Sequence, residues 1–147
     1  MARAPDKTYD IADCNCSALR RSARQISIYY NRRLLPSGIR ATQLAMLVLI
    51  DRLGHASVGD VGETLGLDRT TAGKNLRFLE KEGLVKIGSS ARDARLRAIT
   101  LTRSGRARLK AALPHWRQAQ QEFEQANGAW RVNALRASLN GIKFADN

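Results

Sequence analysis

The stretch GLDRTTAGKNLRFLEKEGLV, residues 66–85, decides how the rest of this chain is read. An Asp precedes two threonines, cations recur as Lys74, Arg77 and Lys81, and a Gly closes the run. Projected at about 100° per residue, Ala72, Leu76 and Leu79 share one side of a helix, and Thr70, Lys74, Arg77 and Lys81 share the other. Asp68 is suited to cap the start, where its carboxylate can accept from the unpaired N–H groups of the first turn. Gly83 is suited to end the helix in the left-handed conformation. A solvated helix tends to mix charge signs at i,i+4 spacing. Here the outward stripe is cationic, and Glu80 and Glu82 lie off its centre.

Upstream, SVGDVGETLGL (57–67) opens on Ser57 as an N-cap and aligns Val58, Val61 and Leu65 on one face. Gly59 and Gly62 lower its helix propensity, and Gly66 with Leu67 makes a tight turn. A short helix, a turn and a basic helix form a helix-turn-helix. Downstream the period changes. Two β-rich runs, Leu84 to Ile87 and Leu96 to Leu101, flank a polar tip, which predicts a hairpin and hence a wing.

Further out, ATQLAMLVLIDRL (41–53) is apolar nearly all round and reads as a buried helix. From Asp13, as cap, to Leu35 an apolar stripe of Leu19, Ala23, Ile26, Tyr30 and Leu34 predicts a long helix, ended by Pro36 to Gly38. After the hairpin, Ser104 is positioned to cap another long helix through Leu109, Leu113, Trp116 and Phe123, with Pro114 as a candidate kink. Gly128 breaks that pattern, and a last helix carries Trp130, Leu135 and Leu139. The expected fold is mainly α with a small β-hairpin wing. Residues 1–12 are expected to be a flexible tail and 13–147 one domain. Within it, a winged helix-turn-helix (41–102) is flanked by helices at 13–35 and 104–145.

The formal net charge of +12 over 147 residues, with a pI near 10.8, favours a polyanionic partner. Arg outnumbers Lys 19 to 6, and the planar guanidinium suits phosphates and guanine edges. The cations are spread along the chain, unlike the clustered basic segment of a lipid binder. No run approaches the roughly 18 apolar residues of a membrane helix, and MARAPDKTYD has no apolar signal core. Double-stranded DNA as partner, no membrane and a cytoplasmic location are therefore expected. Arg69, Thr70 and Thr71, in the first turn of the basic helix, suit a phosphate or base edges. Lys74, Asn75 and Arg77 extend that contact set along the helix. Arg92 at the wing tip suits a narrow minor groove and Arg95 a flanking phosphate, while Asp93 is placed to orient an arginine.

Enzymatic chemistry has no support: there is no glycine-rich phosphate loop after a strand and no His–carboxylate cluster, so no catalytic residue is assigned. Cys14 and Cys16 are too closely spaced for an unstrained internal disulfide. His55 and His115 are remote from them in sequence, so neither a metal nor another cofactor is expected. A competing reading from the charge alone is a non-specific architectural DNA binder, which would lack preference for one site over random DNA.

LGLDRTTAGKNLRFLEKEGLV, followed by RDARLRAITLTRSGRARL, resembles the MarR family of bacterial winged-helix regulators. The resemblance rests on Leu76, Leu79, Glu80, Gly83, Leu84 and Val85, then Asp93 and Arg95, then Leu101, Thr102 and Gly105. It implies a homodimer formed by the terminal helices, two recognition helices in successive major grooves of a palindrome, and repression relieved by a small ligand. The apolar stripes of the terminal helices exceed what a lone winged helix needs, which agrees with a dimer. Gly73 departs from the family's polar groove-facing residue. The resemblance also implies a phenolic or other aromatic anion as ligand; its candidate walls are Tyr29, Tyr30, Met46 and Trp116, with His115 beside them, aromatic and polar groups expected between the dimer helices and the winged helix. An alternative is a thiol-based oxidative-stress sensor. Cys16 stands to Arg24 and Tyr30 in a spacing similar to the organic-hydroperoxide-sensing (OhrR) branch, although two further tyrosine positions are Arg20 and Ala41 here. A helix start near Cys14 and Cys16, with Arg20 beyond, would favour thiolate at either position.

Overall fold

The computed structural model describes residues 10–89 and 97–144. A single 3-10 turn, Ile11–Asp13, comes first, capped by Asp10, whose carboxylate accepts from the Ala12 N–H at 2.9 Å. Residues 10–12, within the stretch expected to be tail, thus carry regular backbone structure. Helix α1 (Asn15–Leu34) follows, and its N-cap is Cys14 rather than Asp13, because Asp13 closes the preceding turn. Helix α2 (Ala41–Leu53) is the buried one. Leu44, Met46, Leu47, Leu49 and Ile50 are all at most 4% exposed, and each such side chain contributes about 1.5–3 kcal/mol by leaving water.

Helices α3 (Val58–Leu65) and α4 (Arg69–Lys81) form the helix-turn-helix. Ser57 and Asp60 cap α3 reciprocally, the Asp60 N–H donating to Ser57 Oγ and the Ser57 N–H to Asp60 Oδ2. The turn needs two glycines for different reasons. Gly66 takes the left-handed conformation (φ 64°). Gly62 lets the Leu67 N–H reach its carbonyl at 2.8 Å, and a Cβ there would stand 2.8 Å from the Leu67 oxygen. The low propensity of α3 is the cost of that close approach.

Strands β1 (Val85–Ser89) and β2 (Arg97–Leu101) pair antiparallel, with Val85 opposite Leu101 and Ile87 opposite Ile99. β1 runs two residues beyond the expected end at Ile87. On its other edge β2 bridges Ala56, through Ala56 N–H to Ile99 O at 3.0 Å and Ile99 N–H to Ala56 O at 2.7 Å. Helix α5 (Arg103–Asn127) is capped by Thr102, not Ser104. Thr102 Oγ1 accepts from the Gly105 N–H at 2.9 Å and donates to the Gly83 carbonyl at 2.6 Å, so one hydroxyl fastens the end of α4 to the start of α5. The helix continues through Pro114 to Gly128, where φ of 84° turns the chain into α6 (Ala129–Asn140).

The terminal helices α1 and α5 are joined by polar contacts. Arg33 pairs with Glu122 at 2.7 Å and lies over the Tyr29 ring. The Tyr29 hydroxyl donates to the Ala119 carbonyl at 3.2 Å, and the Tyr30 hydroxyl bonds Gln120 Oε1. Among the described residues no single helix is long and apolar enough to cross a membrane.

Candidate nucleic-acid interface

Helix α4 separates its two faces as its spacing requires. Ala72, Leu76 and Leu79 are fully buried, while Thr70, Lys74, Arg77 and Lys81 are exposed. The burial of three residues per helix face fixes the rotation, and so the direction in which the cations point. At the start of α4, Asp68 Oδ1 accepts from the Thr71 N–H at 2.9 Å and Oδ2 from the Thr71 hydroxyl at 2.5 Å. These bonds, the hydroxyl's first and then the N–H's, hold the Asp68 carboxyl below its ordinary range. Thr71 is therefore committed to the cap through its hydroxyl hydrogen and is only half-exposed. Arg69 and Thr70 beside it stand in solvent, and Asn75 is half-buried.

At its other end α4 closes with paired bonds, Gly83 N–H to Glu80 O and Leu84 N–H to Leu79 O, both 2.9 Å. Gly83 has φ 69°. Glu80 is turned away from the cationic stripe, since its Oε1 accepts from the Ile87 N–H of β1 at 3.2 Å. That bond ties the hairpin to the helix. Glu80 lies on a helix and Ile87 on a strand beyond a turn, so no single period relates them, which is why the bond is invisible in the sequence pattern. The hairpin also exposes Lys86 and Arg97, two cations the sequence reading did not single out. Lys86 could have been found from the alternation Val85–Lys86–Ile87, which sends it to the solvent side. Arg92, Asp93 and Arg95 lie outside the described residues.

Of the residues suggested for a ligand pocket, only Tyr30 and Trp116 come together. Met46 is 1% exposed and belongs to the core cluster. Tyr30 and Trp116 line a niche of about 320 Å³ with Leu44 and Val48. Tyr29 instead faces a trough of about 720 Å³ with Leu19, Ile26, Phe123, Leu135 and Leu139. Successive residues on a helix point about 100° apart, so Tyr29 and Tyr30 serve different cavities. His115 is half-buried and lines neither.

The Ser17 N–H and then the Ser17 hydroxyl hold the Cys14 thiol below its ordinary value, although its sulfur does not reach full cap geometry. Cys16 is exposed in the first turn. Tyr30 is fourteen residues further along the same helix, about 21 Å away, so it cannot support Cys16 within one protomer. Among the described residues no three His, Cys, Asp or Glu side chains are grouped to hold a metal ion.

Residues 37–96 match the model of the MarR family. A search of curated proteins found no significant match. The chain is similar to the Mycobacterium tuberculosis transcriptional regulator MosR solved in complex with DNA, at 39% identity over 86% of this chain and 93% of that one, TM-score 0.75. It is also similar to CouR from Rhodococcus jostii bound to p-coumaroyl-CoA, at 25% identity over 94% and 97%, TM-score 0.76. Apo MarR from Escherichia coli, at 20% identity over 86% and 95% with TM-score 0.69, shares the fold.

Proposed function

The chain belongs to the MarR family of DNA-binding transcriptional regulators, and on that premise we propose that it acts as a homodimer on a palindromic operator, as a repressor released by a small organic ligand. The observation that carries this reading is the cationic outward face of α4, opposite three fully buried apolar residues. In this reading Arg69, Thr70, Lys74, Asn75 and Arg77 enter the major groove, with Thr71 shaping the first turn. Arg92 and Arg95 of the wing add minor-groove and phosphate contacts.

Dimerisation is supported by the apolar surface one protomer leaves uncovered. Leu19 and Ile26 of α1 and Leu135 and Leu139 of α6 are 37–49% exposed around the 720 Å³ trough. A second copy would cover it and set two copies of α4 about one helical turn of DNA apart, roughly 10 base pairs. Ligand release is supported by the p-coumaroyl-CoA carried by CouR and by the niche of about 320 Å³ between α1, α2 and α5.

The lowered Cys14 thiol favours a second reading, an oxidation-sensing regulator of the same fold in which Cys14, beside the exposed Cys16, is the reactive group. Selection of bound sequences from random duplexes at physiological salt, with reduced and hydroperoxide-treated protein in parallel, tests both. A palindrome preferred about 10³-fold or more over random DNA is expected of a regulator. Loss of that palindrome after peroxide alone would move the signal to the thiols. Absence of any enriched sequence would refute the specific regulator and leave a general DNA binder.

A further inference from the structure

Two carboxylates, Glu80 and Glu82, stand exposed at the C-terminal end of α4. A carboxylate there is unfavourable on two counts. It sits at the negative end of the helix dipole, and it works against the attraction of Lys74, Arg77 and Lys81 for phosphate. The two residues differ in what they touch. Glu82 borders a groove with Arg32 and Arg108. Glu80 reaches the hairpin instead, where its Oε1 accepts from the Ile87 N–H at 3.2 Å.

That amide is one the hairpin cannot satisfy by itself. In an antiparallel pair, opposed residues alternate between those that exchange both bonds and those that turn their N–H and C=O away from each other. Ile87 lies opposite Ile99, and Ile99 commits its N–H and C=O to Ala56, at 2.7 and 3.0 Å. Ile87 therefore directs its N–H to the outer edge of β1, and Glu80 meets it there. The wing is held at both edges by the DNA-binding unit, β2 through Ala56 ahead of α3 and β1 through Glu80 of α4. Val85, Ile99 and Leu101 bury the base of the hairpin, but beyond Ile87 the strand continues only through Gly88 and the exposed Ser89. A two-stranded ribbon is marginal on its own, so the direction of its outer part depends on such attachments.

We propose that Glu80 is a positioning residue for DNA binding. Its carboxylate pins the outer edge of the wing to the recognition helix, and so fixes where the wing cations stand relative to Lys74 and Arg77. The inference rests on the reading of the wing as a DNA contact through Arg92. A positioning carboxylate and a bystander carboxylate predict opposite signs. Removing a bystander negative charge from a DNA-facing helix tightens binding. Removing the pin frees the wing and weakens binding, although a repulsive charge has gone. Glu80→Gln keeps a carbonyl acceptor and loses the charge, so it should bind DNA at least as tightly as the parent.

The test titrates the full chain, at fixed salt, against random-sequence duplex and against the palindrome selected from it. Glu80→Ala should weaken binding about tenfold, the scale of a hydrogen bond to a charged acceptor, while Glu82→Ala should leave it unchanged or tighten it. The double variant Glu80→Ala, Arg92→Ala should bind no more weakly than the weaker single variant, since a freed wing has already lost that contact. Amide exchange reads the pin directly. In Glu80→Ala the Ile87 amide should exchange about tenfold faster or more, with Ala56 and Ile99 at parental rates. Equal or tighter DNA binding by Glu80→Ala overturns the proposal, as does an equal loss in Glu80→Gln or Glu82→Ala. So do additive losses in the double variant. Exchange that quickens at Ile87, Ala56 and Ile99 together marks a general loosening of the fold and overturns it too. Parental affinity in Arg92→Ala refutes the wing contact and the inference with it. Absence of a selected palindrome refutes the specific regulator alone, and the comparison on random duplex still decides the role of Glu80.

Discussion

At Gly105 an added methyl would sit 1.9 Å from the Leu84 carbonyl oxygen, whereas at Gly73 the nearest atom is 4.0 Å away, on Arg77. Both positions are glycine in a helix, and only one is required by packing. The first turn of α5 lies against the backbone that leaves α4, held by the Thr102 hydroxyl between Gly83 and Gly105. Gly105→Ala should lower stability by about 1–3 kcal/mol or more, the range of overpacking at a rigid site. Gly73→Ala should raise it by up to about 1 kcal/mol through helix propensity. Urea midpoints of the two variants check both signs. If Gly73 serves close approach of the α4 backbone to DNA, its alanine variant gains stability while losing operator affinity, which a binding titration separates.

At the scale of the element, α4 is a helix whose two faces have different duties. Lys74→Ala should alter which bases are preferred, whereas Arg77→Ala should weaken all sequences alike and reduce the salt slope by about one. Affinities across an operator mutant series at two salt concentrations distinguish these. An Arg77→Ala protein with an unchanged salt slope would remove that residue from the phosphate contacts. The caps add a pH dependence. Asp60 is lowered by the Ser57 N–H and then its hydroxyl, and Asp68 by the Thr71 hydroxyl and then its N–H. A carboxyl lowered in the folded state stabilises it fully above the unfolded value, about 3.9. That contribution fades as the pH falls through the lower folded value. Both helices of the DNA-binding unit should therefore weaken below about pH 4. Denaturant midpoints followed from pH 6 to pH 2 should drop less steeply for Asp68→Asn, which keeps a cap acceptor without a titrating charge. A parallel drop in the variant would show that Asp68 is not responsible.

For the whole molecule, the decisive quantity is the apolar surface left on α1 and α6. Trp130, Leu135 and Leu139 are 72%, 49% and 44% exposed in one protomer. The double variant Leu135→Asp, Leu139→Asp should sediment as a monomer at concentrations where the parent is a dimer. It should also lose palindrome binding while retaining weak, salt-sensitive affinity for any duplex. A variant that remains dimeric would place the interface elsewhere.

The winged helix was legible in the chain itself because its signals are local. Asp68, Ser57 and Gly83 act on amides within a few residues, and the alternation of Leu76 and Leu79 with Lys74 and Arg77 lies within a single helix. Such relations repeat at three, four or two residues and need no knowledge of what packs against them. The rest depends on partners far apart along the chain. The sequence points to Ser104 as the cap of α5, but Thr102 holds the position, its hydroxyl also donating to the distant Gly83 carbonyl. Tyr29 and Tyr30 meet α5 ninety residues away and divide between two cavities. Met46, equally apolar, goes to the core. Local spacing thus determined the helices, the caps of α3 and α4 and the cationic face of α4. Only the tertiary structure decided which hydroxyl joins α4 to α5 and which aromatics line which cavity, because burial and long-range contact are properties of the folded chain and not of sequence neighbours.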